Sequence, residues 1–497
     1  MGIFCYFCNH FMEEYLQKHR RLISTGLVVL AVGVYAVLSI GNHLAFRTYG
    51  LDLGLYTHAL YDYAHLRPSD GSFFLWQPSN LLADHFDLYL VLLSPLVYLL
   101  GNWTLLVVQL CALGVGMAGM YRLASTLDGR AWFALTAMVL LPVGFGVWHA
   151  YSFDYHSNVV AAMLLPWLVV AVRRKRVWAT AVLAALMAVA KETSALWVVA
   201  VLAGLMFDCR RDRRMLRALG LTAAGCVVWF LLTTMVVMPA LGSTSQGFRR
   251  YEWMGASMGQ VAVWLLSHPL EALRDVFVDF TPAHDSGVLK REFFVCILAS
   301  GMLLAAFKPN YLIMTIPPLA MKMLSSHAEN LWGVAFHYNV ELGVVAAVGA
   351  VVVLSRIKTT RWRAATAGAA VVLSALTLGY TVHEPHTRIR TGNVRIMDSR
   401  HYRQPDFDSD AARRMLGSIP ADASVCATTM FTPHLAARDK VYIFPMGQAY
   451  DAEYYLLVRK HWCYYDDEEA QVARLAADSS RFDVVDTAYN LVLLHRR

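Results

Sequence analysis

Long apolar runs, each closed by charged or turn residues, recur along most of this chain. They fall near residues 22–42, 103–124, 131–149, 158–172, 177–190, 193–207, 217–240, 292–307, 310–325, 336–355 and 364–381, and predict roughly eleven membrane-crossing helices. Several are shorter than the ~20 residues a straight crossing needs, and 177–207 reads either as one tilted helix or as two. The apolar stretch at 86–100 is interrupted by Pro95 and reads as a segment lying along the membrane interface. Past Thr381 the pattern changes. β-type runs at 424–427, 441–444, 482–485 and 491–494 alternate with helical stretches at 409–416 and 468–477, which predicts a small mixed α/β domain. No internal repeat, low-complexity linker or glycine-rich phosphate loop interrupts this plan.

Composition agrees with a membrane class. Of 497 residues 57% are hydrophobic and 16% charged, and mean hydropathy is +0.44, whereas a soluble domain carries about 25% charge. Charge then sets orientation. The clusters Arg173-Arg174-Lys175-Arg176, Arg210-Arg211-Asp212-Arg213-Arg214 and Arg356 to Arg363 belong in the cytoplasm by the positive-inside rule. The chain must cross twice between the first two, so the run 177–207 splits at Lys191-Glu192-Thr193 and that turn faces outside. The first run follows Lys18-His19-Arg20-Arg21 with no small-residue cleavage site after it, and reads as a retained crossing.

The expected organisation is a cytoplasmic tail at 1–21, a transmembrane domain at 22–381 with external loops at 43–102 and 242–290, and an extracytoplasmic α/β domain at 382–497. The net charge of +7 orients the membrane part and does not indicate nucleic acid, because the segment from Thr381 onward holds 15 basic and 16 acidic residues. Cys5 and Cys8 have zinc-like spacing without a second pair. Cys111, Cys226 and Cys296 sit in apolar runs, and Cys426 with Cys463 could form a disulfide if oxidised.

On this topology Asp52, Asp84-His85, Asp154-Tyr155-His156 and Lys191-Glu192 all fall at ends of apolar segments on one membrane face, and the expectation is that they converge in one cavity open to lipid. Each has a structural competitor: Asp52 as the cap of a helix over 53–66, Asp154 and Asn158 as caps in a polar hairpin, Lys191 and Glu192 as a mutually neutralised pair. Histidine with carboxylates can also bind zinc or another divalent ion, which makes Asp52, Asp154 and His156 the metal candidates.

The layout over about residues 20–380 resembles the GT-C superfamily of membrane glycosyltransferases, which take sugars from polyprenyl-phosphate or polyprenyl-diphosphate carriers. Asp52 after the first run, Asp84-His85 before an interfacial helix, Asp154 in the next loop and the turn Ala190-Lys191-Glu192-Thr193 carry the likeness. More closely, Leu51-Asp52-Leu53-Gly54-Leu55, Ala83-Asp84-His85-Phe86, Phe153-Asp154-Tyr155-His156, Lys191-Glu192 and Pro433-His434-Leu435 resemble a bacterial family of predicted membrane proteins of unknown function. There is no paired acid at position 52 and no Trp-Trp-Asp motif, which favours transfer of a single sugar over an oligosaccharide-to-asparagine activity.

The resemblance implies a multi-pass protein of the bacterial cytoplasmic (inner) membrane. Its partners would be membrane lipid, a lipid-linked sugar donor and an extracytoplasmic glycan, lipid or protein acceptor. Such transfer needs a base for the acceptor proton and cations for the departing phosphate. Asp52 is the expected base, and Lys191, Arg249 and Arg250 the expected phosphate ligands. Asp84, His85, Asp154 and His156 would shape the sugar pocket or hold a divalent ion, with Glu192 a further substrate-binding candidate and His337-Tyr338 a further donor-site candidate. Tyr251, Trp253 and Trp332 stack on sugar or form an interfacial belt. The rival class is a transporter or lipid flippase, which would show internal repeats and polar groups at mid-membrane. A structural protein binding a partner through its external domain is the third.

Overall fold

The computed structural model describes residues 2–70, 73, 80–243, 246–280, 286–326, 331–386, 391–446, 451–460 and 467–497. The protein is mostly helical, and each apolar run of the sequence forms helix. Among the described residues five helices are long and apolar enough to cross a membrane: Met12–Leu44, Leu88–Leu127, Arg213–Ala240, His337–Leu354 and Thr360–His383. The pair Ala131–Leu140 and Phe145–Ser152, bent by 49° around Pro142, makes a sixth if counted as one span. The helices between are shorter. Val177–Ala188 has 12 residues and Ser194–Asp208 has 15, about 18–22 Å at the helical rise against a hydrocarbon core of ~30 Å. They are separate helices, as the charge pattern predicts, and Lys191 and Glu192 occupy the break.

The chain forms two compact units. One comprises Met1–Ala36, Gln109–Thr234 and Ser245–Val394, and the other Val37–Val108, Met235–Thr244 and Arg395–Arg497. In the first, Phe293, Trp332, Leu342 and Ala346 are among the residues of a buried cluster. Its charges pair locally: the Lys308 ammonium meets the Asp208 carboxylate, and the Arg363 guanidinium meets Asp128.

The second unit contains a five-stranded sheet: β1 (Val425–Ala427), β2 (Val441–Ile443), β3 (Tyr454–Val458), β4 (Phe482–Ala488) and β5 (Leu491–Arg496), in the order β2-β1-β3-β5-β4. β1 runs parallel to β2 and β3, while β3 and β5, and then β5 and β4, are antiparallel. β3 is therefore the pivot, aligning Tyr455 with Cys426 on one side and Leu494 on the other. It is the one strand absent from the sequence reading. Its Tyr-Tyr-Leu-Leu-Val run is buried along nearly its whole length and lacks the alternation that marks a half-exposed strand. The helices Ser409–Ser418 and Glu468–Ala477 lie where the sequence placed them. Cys426 is a free, buried thiol, and Cys463, its suggested disulfide partner, lies outside the described residues.

Candidate functional site

The candidate residues divide between the two units. In the second unit, Asp52 is half-buried in a π-helical turn, Gly50–Gly54, that leads into the helix Leu55–Ala64. The sequence left helix capping as a competing role. Asp52 is the third residue of the turn, whereas the N-cap positions are Tyr49 and Gly54, and neither makes a side-chain cap bond.

The turn is held by residues that follow β1. The Gly50 N–H donates to Thr429 Oγ1 at 3.0 Å. A Cβ on Gly50 would lie 2.2 Å from Ile443 Cδ1 and 2.6 Å from Thr432 Oγ1, so any larger residue there would force these side chains to shift. Around it, His58 Nδ1 meets the Ala436 carbonyl at 3.2 Å, and Arg67 pairs with Asp439 at 2.8 Å. Asn102 bridges the His434 carbonyl at 2.6 Å and the Ala437 N–H at 2.7 Å. The His434 ring stacks on His43 with centroids 3.9 Å apart, and His43 Nδ1 lies 2.8 Å from Thr48 Oγ1. Burial first, then the nearby His43 and Arg413, holds the His434 imidazole well below its ordinary pKa. Pro433-His434-Leu435 is thus a buttress beneath the acidic turn.

Asp84 ends the short helix Leu81–Asp84 and His85 is its C-cap, both half-buried. The capping carboxylate here is Asp87, which accepts from the Tyr89 N–H at 2.9 Å at the start of Leu88–Leu93.

In the first unit, Asp154 is buried in the break between Phe145–Ser152 and Ser157–Ala162. The second helix has His156 at its N-cap, without a side-chain bond. The His156 N–H donates to Gln109 Oε1 at 3.1 Å, and the Tyr155 hydroxyl lies 3.0 Å from Ser157 Oγ. The structure brings His156 against His337, with ring centroids 3.4 Å apart, and Phe153 stacks on His156 at 5.6 Å. Tyr338 lies 4.1 Å from His337 by centroid.

Two features hold His337 there. Phe336, just before it, has φ 61° and ψ −172°, a backbone region nearly reserved for glycine and costing about 1–3 kcal/mol. The Phe336 ring packs edge-on to Phe153 at 4.9 Å. Below, Gly146 lets the His337–Asn339 turn approach, since a Cβ would lie 2.5 Å from the Asn339 carbonyl oxygen.

Glu341, in the first turn of the following helix Val340–Leu354, was not singled out in the sequence. Its carboxylate accepts from Asn158 Nδ2 at 2.7 Å, and the ammonium groups of Lys191 and Lys322 lie within electrostatic reach. A carboxylate at the start of an apolar run was the available signal. Lys191 and Glu192 are both buried at 8% exposure. Arg249 and Arg250 stand in the turn Gln246–Tyr251, whose contacts run elsewhere: the Arg250 carbonyl accepts from Ser326 N–H at 2.9 Å, and the Tyr251 hydroxyl donates to the Met321 carbonyl at 2.7 Å. Burial pushes the Tyr251 hydroxyl up to about 12, against the opposing pull of Arg250.

Among the described residues no three His, Cys, Asp or Glu side chains are grouped so as to hold a metal ion, so the divalent-ion expectation for Asp52, Asp154 and His156 gains no ligand set.

A family described as "Predicted membrane protein" matches residues 42–493. No curated protein matches the sequence. Among solved structures, ArnT from Cupriavidus metallidurans is similar in its apo state, at 12% identity and a TM-score of 0.48, with 95% of this chain and 98% of that chain covered. The same protein bound to undecaprenyl phosphate is similar at 13% identity and a TM-score of 0.49, with the same coverage.

Proposed function

The chain belongs to the predicted membrane protein family DUF2079, and on that premise we propose that it is a membrane glycosyltransferase that moves a sugar from a polyprenyl-phosphate donor to an extracytoplasmic acceptor, with Asp52 as general base. In this reaction the bond between the anomeric carbon and the phosphate oxygen breaks, a bond from that carbon to the acceptor oxygen forms, and the acceptor proton passes to the Asp52 carboxylate. The leaving polyprenyl phosphate keeps its electron pair, and cations stabilise the charge. Lys191, Arg249 and Arg250 serve there as phosphate ligands. His156, His337, Tyr338 and Glu192 bind donor, and Asp84, His85 and Asp154 complete the machinery. The membrane surface supplies lipid donor from one side and water-borne acceptor from the other. The C-terminal α/β domain stands on the extracytoplasmic side in this reading.

The observation that carries the reading is the state of Asp52. Its carboxylate sits in a tight turn braced by Thr429, Thr432 and Ile443, and both N-cap positions nearby belong to other residues. Positioning the backbone of an acid so firmly is what a base requires.

Lipid extracts from cells lacking the protein should accumulate a polyprenyl-phosphate sugar. Restoring the wild-type chain should clear it. Asp52→Asn retains the size and most hydrogen bonds of the side chain, and should express and melt normally while slowing clearance by ~10²–10⁴. Full clearance by Asp52→Asn removes this residue as the base, and absence of any accumulating lipid-linked sugar overturns the transferase reading.

A further inference from the structure

Between Trp253 and Leu270 the chain contains no acidic or basic residue apart from His268. This stretch and its continuation form two helices, Met258–Ser267 and Pro269–Phe277, joined at His268. The first is apolar yet has only 10 residues, about 15 Å, which is half of what crossing the hydrocarbon core requires.

One side of this pair is committed. Trp253 packs on Trp264 at 5.0 Å and on Phe280 at 4.4 Å, and donates from Nε1 to the Leu324 carbonyl at 3.0 Å. At the far end the buried Lys290 ammonium donates to the carbonyls of Asp275 and Val278, closing the C-terminus of the second helix, and lies 3.9 Å from the Trp332 ring centroid.

The other side is left bare. Val263 is 65% exposed, Leu266 82%, Leu270 81%, Leu273 59% and Phe277 52%. Leu270, Leu273 and Phe277 follow the i, i+3, i+7 spacing of a single helical stripe, and Glu271 and Arg274 flank it. In a soluble protein so much contiguous apolar surface marks a docking site. Here the segment follows in sequence the candidate crossing Arg213–Ala240, whose own Val228 and Leu231 are exposed as well, so apolar surface suited to lipid already precedes it in the chain.

We propose that Met258–Ser267 and Pro269–Phe277 lie flat in the membrane–water boundary, with Val263, Leu266, Leu270, Leu273 and Phe277 among the acyl chains of the bilayer. Such helices sink about 5–10 Å into the headgroup and acyl boundary. Glu271 and Arg274 remain at headgroup level, and the inner aromatic contacts fix which face turns down. The inference holds whichever reaction the protein performs.

The test uses the full-length protein in lipid nanodiscs, with the photo-crosslinking residue p-benzoylphenylalanine replacing Leu266, Leu270, Leu273 or Phe277, and in parallel Glu271 or Arg274. All six side chains are exposed, although Phe277 also meets Phe294 at 4.7 Å and Arg274 pairs with Asp275, so melting temperature verifies that each replacement leaves the packed face intact. Lipid adducts identified by mass spectrometry should be about tenfold more abundant at the four apolar positions than at Glu271 and Arg274. Equal lipid adducts at both sets would overturn the proposal, and so would crosslinks from the apolar set to protein in place of lipid.

Discussion

His156 and His337, 181 positions apart in the chain by their numbers, stack face to face with ring centroids 3.4 Å apart. The contact depends on a strained backbone at Phe336 and on the absence of a side chain at Gly146. Fold stability alone does not call for an energetically costly residue before an imidazole, and such outliers concentrate at functional sites.

The first prediction separates ring shape from ring chemistry. His337→Phe keeps an aromatic face for the stack and removes both nitrogens. It should melt within a few degrees of wild type and lower clearance of the lipid-linked donor by ~10². His337→Ala should lose stability as well. Undiminished clearance by His337→Phe would reduce the stack to packing.

Gly50→Ala should cost about 1–3 kcal/mol, because its Cβ would sit 2.2 Å from Ile443 Cδ1, and should impair activity by moving the turn that bears Asp52. Adding Ile443→Ala removes the nearest obstructing atom. The double variant should regain part of the activity, a non-additive result readable in a double-mutant cycle. Purely additive losses would show that the two side chains do not oppose each other.

Lys308 and Asp208 form a pair with side-chain exposures of 5% and 13%. Lys308→Met strands the carboxylate and should cost about 3–5 kcal/mol, measured as a lowered melting temperature in detergent. Lys308→Met with Asp208→Leu should recover most of this, because replacing both partners leaves no uncompensated charge.

The buttress histidine gives a pH dependence with a definite sign. His434 titrates well below its ordinary 6.5 in the folded protein, chiefly through burial. Above pH 6.5 the ring is neutral in folded and unfolded chains alike. As pH falls through 6.5 the unfolded chain takes up a proton that the folded ring refuses, so stability is lost toward acid. The melting temperature should therefore drop between pH 7.5 and pH 5, and His434→Gln should flatten that drop. An unchanged slope in the variant would assign the acid sensitivity to other groups.

Much of the helical plan was legible because a crossing writes its length and its flanking charges into the sequence. The separation of Val177–Ala188 from Ser194–Asp208 followed from arginine clusters alone. Pairing was less legible. Periodicity could not distinguish the buried β3 from other apolar stretches, and nothing near position 50 announces that Thr429 will bond its amide. Asp87 and Asp84 look alike in sequence, and only the geometry assigns capping to Asp87. Glu341 was hidden for a related reason: its partner Asn158 lies 183 positions away, and local spacing carries no record of that meeting.

The brace on the acidic turn also imposes an order on biosynthesis. Gly50 and Thr429 are 379 positions apart, so at about 5–20 residues per second the ribosome delivers the supporting segment about 20–75 s after the turn has emerged. Throughout that interval the first crossing can insert and the turn can form, but the Thr429 hydroxyl is not yet there to hold it. A chain that lacked that segment would leave the Gly50 amide without its Thr429 partner. The segment that carries Thr429 is therefore the later-made half of the brace, and the acidic turn waits on it.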